Sequence, residues 1–243
     1  PGSGCDGSAT QCTDANCYVI NESGVRSTFA VGPQEMGGDG SVSIKSTGVV
    51  ELLRADGSVW REYGHVSGAQ YPELSWSQAS LGGSHTCAIT TSGQAYCWGS
   101  NSFGQLGSGD FVDSSKPSPI AMVNELVSKT IASVAVNSSL ANPITCLVAS
   151  DNQIYCLGSG FGESPVLLEV FDDYYNTVQF NSVVAGGEHF CALSVDSQVY
   201  CWGDNNYGQL GNTEGSYISN PTPVDTSGAL AGLTVLSASL GYG

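Results

Sequence analysis

An internal repeat constrains the fold of this chain more than any other feature. The stretch LGGSHTCAITTSGQAYCWGSNSFGQLG, residues 81–107, returns as AGGEHFCALSVDSQVYCWGDNNYGQLG, residues 185–211. A weaker copy occupies residues 142–162, and an earlier one, VVELLRADGSVWREYG, occupies residues 49–64. Four copies of one unit predict a chain that is built by stacking similar modules along the sequence.

Each copy contains two short apolar segments around a turn. The turn centres are Asp56, Ser92, Asp151 and Asp196, and their separations of 36, 59 and 45 residues match the length of a propeller blade. Between the hairpins lie a proline-led segment and a further apolar strand, such as PIAMV and TIASVAV. The sequence therefore predicts an all-β fold made of β-propeller blades, each with about four antiparallel strands.

Pairs of cysteines fix the register of the hairpins. In one unit, a three-residue loop that ends at Gly93 places Cys87 directly opposite Cys97 on the neighbouring strand, provided that Gly93 takes a left-handed conformation. This spacing suits a disulfide within the hairpin. The same ten-residue separation predicts three bridges: Cys87 with Cys97, Cys146 with Cys156, and Cys191 with Cys201. The earliest unit has the opposite charges Glu51 and Arg61 at these positions, which supports the same register.

Two of the units share a longer pattern: Gly and His, a strand, a turn, a second strand that ends in Trp-Gly, and then Asn-x-x-Gly-Gln-Leu-Gly. This pattern resembles the repeat of the regulator of chromosome condensation (RCC1-type) family, and the resemblance covers roughly residues 40–243. It implies that the four visible units form part of a seven-bladed ring. The paired cysteines are similar to those of secreted and cell-surface members of the family in bacteria and algae.

The chain is expected to divide into two parts. Residues 1–38 form an amino-terminal segment or linker, and residues 39–243 hold the RCC1-type repeats. The first part carries three cysteines, Cys5, Cys12 and Cys17, which can form at most one bridge among themselves. The repeat breaks off at Gly243, so the last blade is expected to be incomplete, with further chain or another copy completing the ring.

The net charge and the cysteine content limit the compartments in which the protein is expected and the partners that it is expected to bind. The chain has 22 Asp and Glu against six Lys and Arg, and a net charge of −16, which disfavours nucleic acid and anionic membranes. No apolar run approaches the roughly 18 residues that a membrane-spanning helix needs, so membrane insertion is not expected. Nine cysteines, six of them at hairpin spacing, and glycosylation patterns at Asn21 and Asn137, favour an extracellular or cell-surface protein that can carry glycans.

Few residues suggest catalysis, metal binding or ligand binding. His85 and His189 occupy one repeat position, where the third unit has Ile144, so a structural hydrogen-bonding role is favoured over catalysis or metal binding. Trp98 and Trp202 recur at strand positions and are predicted to pack in the core rather than to stack on sugars. The cysteine spacing is not that of a zinc site, and no serine or thiol is paired with an evident base. We therefore predict no catalytic residue and no cofactor.

Acidic turns leave calcium open as an alternative. They occur at residues 38–41, 172–173 and 204–206, and they lack the ligand spacing of a dedicated calcium loop. Asp and Asn at such positions commonly cap backbone amides, which is the favoured interpretation.

These features predict a non-enzymatic extracellular module with a structural, adhesive or assembly role that acts through protein–protein contacts, with a protein partner or with copies of itself. The alternative is a secreted propeller that captures or inhibits a partner enzyme. A regulator similar to the nuclear nucleotide exchange factor of the family, or a propeller enzyme, ranks below both because fold alone does not define activity.

Overall fold

The computed structural model describes the side chains of residues 77–123, 125–172, 174–212, 215–227 and 234–241, and the backbone of the strands between residues 10 and 76. The chain divides into two compact units, Pro1–Pro72 and Glu73–Gly243, which are considered separately. The sequence-based division between residues 38 and 39 stays a prediction.

The described strands of the first unit form two antiparallel sheets. β1 (Thr10–Thr13), β2 (Asn16–Ile20) and β3 (Arg26–Ala30) make a three-stranded sheet, in which Cys12 lies opposite Cys17 in the backbone register. A four-stranded sheet, blade 1, follows, with strands β4 (Ser43–Ser46), β5 (Val50–Leu53), β6 (Val59–Arg61) and β7 (Gly64–Ser67).

Blade 1 confirms the predicted hairpin register, because its backbone places Glu51 opposite Arg61. Other predictions for this unit lie outside the described residues. They are the disulfide pairing of Cys5, Cys12 and Cys17, the glycan at Asn21, and the acidic turn at residues 38–41.

The described strands of the second unit form three four-stranded antiparallel blades, each with its strands in chain order. Blade 2 contains β8 (Trp76–Leu81), β9 (His85–Thr90), β10 (Ala95–Gly99) and β11 (Ser114–Pro119). Blade 3 contains β12 (Ile131–Val136), β13 (Ile144–Ala149), β14 (Ile154–Gly158) and β15 (Gly162–Leu168). Blade 4 contains β16 (Phe180–Ala185), β17 (His189–Ser194), β18 (Val199–Asp204) and β19 (Tyr217–Pro223). The all-β, blade-based fold is thereby confirmed.

The three blades stack in chain order. Strand β12 contacts β8 and β9 of blade 2 and also β16 of blade 4. Every residue of β9 and of β17 is buried, because neighbouring structure covers both faces of these strands. Leu106 packs with Leu147 and Leu157 between blades 2 and 3, and Val148 packs with Phe180 between blades 3 and 4. Each such side chain contributes about 2 kcal/mol through burial.

The hairpin loops join each blade to the next. The third loop residue has a left-handed conformation in all three blades, with φ of 80° at Gly93, 61° at Asn152 and 63° at Ser197. This confirms the conformation predicted for Gly93. The carbonyl of Gly93 accepts a hydrogen bond from the Ile131 amide, 2.8 Å away, and the carbonyl of Asn152 accepts one from Phe180 at the same distance. The turn of one blade therefore holds the first strand of the following blade.

Polar side chains on the first strands make a second set of links. The Ser80 hydroxyl accepts a hydrogen bond from the Val136 amide at 2.9 Å, and the Ser133 hydroxyl accepts one from the Val183 amide at 3.2 Å. Because these partners are backbone groups, the stacking order of the blades is fixed by directional bonds as well as by apolar packing.

Candidate functional site

Because neighbouring strands are antiparallel, the connections of blades 2–4 lie alternately at two ends of the sheets. One end carries the links from first to second strand and from third to fourth strand; we name it the long-loop end, since it includes residues 100–113 and 205–216. The opposite end carries the hairpin turns and the blade-to-blade connections, and we name it the hairpin end. Each end can present loops to a partner.

Among the residues with described side chains, disulfides join Cys87 to Cys97, Cys146 to Cys156 and Cys191 to Cys201. The paired Cα atoms are 4.1 or 4.2 Å apart, and each pair lies directly opposite in the strand register. These six residues are buried, and as disulfides they offer no thiolate for nucleophilic attack or metal binding.

His85 belongs to a buried chain of hydrogen bonds across the junction of blades 2 and 3. The Thr145 hydroxyl donates its proton to the Gln105 carbonyl at 2.8 Å, so it can only accept from His85 Nε2, which lies 2.7 Å away. The Nε2 atom of the imidazole therefore carries a proton. Burial lowers the pKa of His85 to about 3, which removes it from acid–base catalysis near neutral pH.

The next junction replaces these polar partners by apolar ones. Ile144 occupies the repeat position of His85, and Phe190 occupies that of Thr145; Ile144 packs against the apolar cluster that includes Phe190. The pair changes together between junctions, as expected for two side chains that meet across blades. In blade 4 the same repeat position is again a histidine, His189. Burial lowers the pKa of His189, and the nearby Asp204 carboxylate opposes this shift.

Both predicted core tryptophans are buried. Trp202 stacks on Phe190 with ring centroids 5.5 Å apart, and Trp98 is equally enclosed within blade 2. Neither indole face is open to a sugar.

The Asn-x-x-Gly-Gln-Leu-Gly motif builds a rigid loop at the long-loop end. Asn101 is fully buried; its side chain accepts a hydrogen bond from the Leu106 amide at 2.9 Å and donates one to the Asp110 carbonyl at 2.9 Å. Gln105 accepts a hydrogen bond from the Phe103 amide at 2.9 Å, and Leu106 fills the core. The loop is thus held from inside by its own side chains.

Blade 4 repeats this construction. Asn205 accepts from the Leu210 amide at 3.0 Å and donates to the Gly215 carbonyl at 3.1 Å, and Gln209 accepts from the Tyr207 amide at 2.9 Å. Leu210 is fully buried like its counterpart in blade 2. Two separate blades therefore carry the same internally bonded loop.

Each of these loops exposes an aromatic side chain. Phe103 is 42% exposed and Tyr207 is 88% exposed, at the same motif position. Phe111, farther along its loop, is 55% exposed, and Tyr217, the first residue of β19, is 65% exposed. This exposed aromatic surface was not predicted from the sequence. The signal was present in the motif, since an aromatic residue precedes Gly-Gln-Leu-Gly in both strong repeats.

The described acidic turns are engaged in local hydrogen bonds. Asp172 accepts from Asn176 and from the Tyr174 amide, and these bonds lower the pKa of Asp172. Asp204 accepts from Asn206 and Gln209. Within the described part of the chain, no group of three or more His, Cys, Asp or Glu residues is placed to hold a metal ion. Calcium binding stays an untested prediction.

The glycan predicted at Asn137 is incompatible with the structure. Asn137 is 1% exposed, its Nδ2 donates to the Asn142 carbonyl at 2.9 Å, and its Oδ1 accepts from the Ile144 amide at 2.8 Å. A sugar on Nδ2 needs space that the β12–β13 connection fills. The Asn-x-Ser pattern alone could not indicate this burial.

The hairpin end holds an ion pair. Lys129 donates to Asp151 and to the Tyr155 hydroxyl, which in turn donates to Asp151 at 2.9 Å. The hydrogen bond to Asp151 raises the pKa of Lys129. The polar groups of this cluster bond to one another, so the cluster is a structural link between the connection that follows blade 2 and the turn of blade 3.

In the described residues, no helix is long and apolar enough to cross a membrane.

Stacked four-stranded antiparallel blades, joined through their turns, define a β-propeller protein. The regulator of chromosome condensation (RCC1) repeat matches residues 76–105 and 180–209 in one form, and residues 92–139 and 196–243 in another. Together the matches span just over half of the chain. The chain belongs to the RCC1 repeat family.

This chain spans only part of the length of the proteins that it matches. The serine/threonine-protein kinase Nek9 of Xenopus laevis is 27% identical over 68% of this chain, but this covers only 18% of the kinase. Human WBSCR16 has a similar structure, with a TM-score of 0.69, 15% identity, and coverage of 96% of this chain and 69% of that chain. Yeast RCC1 (Prp20), solved bound to Kap60, has a TM-score of 0.62 and 16% identity, with coverage of 90% and 57%. These similarities establish the fold.

Proposed function

We propose that this chain is a non-enzymatic extracellular module that acts through protein–protein contacts in assembly or adhesion. The observation that carries the extracellular part is the set of buried disulfides in three successive blades. Such bonds persist in oxidising compartments and are rare in the cytosol, where thiols are kept reduced.

Two features support protein binding. The long-loop end presents exposed aromatic side chains on internally bonded loops, and aromatic residues are enriched at protein interfaces. RCC1-type propellers are generally protein-interaction modules, and yeast RCC1, which has a similar fold, was solved with Kap60 bound.

The state of the groups that could react supports a non-enzymatic role. His85 is neutral and enclosed, the described cysteines are bridged, and Lys129 is paired with Asp151. Catalysis requires titratable groups that converge on a cleft, and these groups are separated or mutually satisfied.

The first experiment maps disulfides in the protein recovered from cells that produce it, with free thiols alkylated before the cells are opened. We expect the three hairpin bridges to be present in material collected outside the cells. Recovery of the protein inside the cells with all six cysteines alkylated would overturn the extracellular assignment.

Size-exclusion chromatography with light scattering separates the assembly role from its alternative, the capture of a partner enzyme. Concentration-dependent oligomers support assembly. A monomer at every concentration supports capture, which the loops exposed at one end of the blades also favour.

A further inference from the structure

We propose that the long-loop end binds a protein segment rich in arginine or lysine, with the side chains of Phe103 and Tyr207 as its anchors. This inference rests on the proposed protein-binding function, because it names the surface and the chemistry of the partner.

The anchors are held rigidly although their side chains are exposed. The backbone on either side of Phe103 is fixed, since its own amide donates to Gln105 and the following Gly104 amide donates to the Asn101 carbonyl at 2.9 Å. Tyr207 has the same arrangement, with the Gly208 amide donating to the Asn205 carbonyl at 3.1 Å. Because the backbone of these loops is already ordered, binding a partner does not have to order it, and only the side chain loses conformational freedom.

The charge of this end selects the partner. The described residues here include five carboxylates, from Asp110, Asp113, Glu163, Glu188 and Asp204. Lys116, on the outer strand β11, is the one lysine or arginine that the described residues of blades 2–4 place near this end. Lys129 lies at the hairpin end in its ion pair, and His85 is neutral. Such a surface attracts a cationic segment and repels a second copy of the same surface.

Each anchor lies in a loop that contacts a residue carrying a carboxylate. Gly104, next to Phe103, packs so closely on Glu163 of blade 3 that an added Cβ would lie 2.5 Å from its Cα, and the Gly109 amide donates to the Glu163 carbonyl at 3.3 Å. In blade 4, Gln209 ties the Tyr207 loop to Asp204 through a hydrogen bond of 2.7 Å. A guanidinium can stack on an aromatic ring while it pairs with a nearby carboxylate.

The test measures binding of a fluorescein-labelled peptide with six arginines separated by glycine and serine, by fluorescence anisotropy at physiological salt. A peptide with six glutamates is the negative probe. The test variant is Phe103→Ala with Tyr207→Ala. The matched control is Tyr174→Ala with Tyr175→Ala, which removes two highly exposed tyrosines from the hairpin end. Circular dichroism checks that both variants are folded.

We expect the arginine peptide to bind, the glutamate peptide not to bind, and the F103A/Y207A variant to lose at least about tenfold in affinity. The control variant should bind within about twofold of the unchanged protein. The conservative variant Phe103→Tyr with Tyr207→Phe should retain binding.

Equal loss in both alanine variants, or unchanged binding in F103A/Y207A, would overturn the inference. The inference would also be overturned if the F103A/Y207A variant still bound the peptide but lost self-association, or lost binding to a neutral glucan. These failures leave the disulfide map intact, so they are distinguishable from failure of the proposed function. Reduced cysteines in the native protein would refute the extracellular role without affecting the peptide result.

Discussion

The Nε2 atom of His85 donates a hydrogen bond to the Thr145 hydroxyl, 2.7 Å away, across the junction of blades 2 and 3. The two residues are 60 positions apart in the sequence. Their contact exists only when the blades are stacked, so it reports on the assembled propeller rather than on a single hairpin.

The neutral state of His85 makes stability depend on pH. Burial lowers its pKa from 6.5 to about 3, so between these values the folded protein binds fewer protons than the unfolded chain. The stabilisation by neutral His85 is fully present above pH 6.5 and is lost as the pH falls toward 3, by up to about 1.4 kcal/mol per pH unit. Urea unfolding at pH 7, 6, 5 and 4 should show the stability gap between this protein and His85→Gln shrinking toward acid. A gap that does not change with pH would contradict this.

Removing the Thr145 hydroxyl, the partner of His85, should lower the free energy of unfolding by more than the contribution of one hydrogen bond. In Thr145→Val, His85 Nε2–H and the Gln105 carbonyl both lose their partner inside the core, and we expect a loss of about 2 to 3 kcal/mol in the free energy of unfolding. The chain supplies its own control, because the next junction has Ile144 and Phe190 at these positions. The double variant His85→Ile with Thr145→Phe should be less destabilised than the sum of its single variants, as measured by a double-mutant cycle. Strict additivity would show that the two sites are independent.

The hairpin bridges should stabilise single blades by a moderate amount. Replacing Cys87 and Cys97 by alanine opens a loop of about ten residues, and the expected loss is about 2 to 3 kcal/mol in the free energy of unfolding. Chemical denaturation of this variant and of the corresponding Cys191 and Cys201 variant should give losses of similar size, because both bridges span equal loops. An unchanged denaturation midpoint would argue against a stabilising role for the bridge.

Gly99 should not tolerate a side chain. It has φ of +114°, and an added Cβ would lie 2.6 Å from the Ser84 carbonyl oxygen and 2.7 Å from the His85 Cα. We expect Gly99→Ala to cost about 3 kcal/mol or more, from backbone strain and steric overlap together. Gly109→Ala is the matched control, because φ is +83° there and the added Cβ meets nothing within 4 Å. Its cost should be only about 1 kcal/mol. Thermal unfolding of the two variants compares them, and equal losses would remove the argument from overlap.

Local rules were sufficient to predict the hairpins. The three-residue loop and the ten-residue cysteine spacing fixed the partner of each strand residue, and the pairings of Cys87 with Cys97 and of Glu51 with Arg61 follow from that register. The burial of Trp202 was predictable for the same reason, since a side chain that recurs on a strand between two blades is enclosed on both sides.

Contacts between blades could not be predicted, because they depend on how far apart the stacked sheets lie. The sequence alone does not show that Thr145 reaches His85, or that the β12–β13 connection encloses Asn137. The exposed position of Phe103 was missed because it results from the inward turn of Asn101 and Leu106 in the same loop.

The bridges also determine how the protein would respond to a pulling force. The Cα atoms of Cys146 and Cys156 lie 4.2 Å apart, although the chain between them can extend to about 35 Å. When tension peels a blade open, the covalent clip keeps about 30 Å of chain from unravelling. A blade that is clipped in this way therefore lengthens less under load than a blade without the bridge.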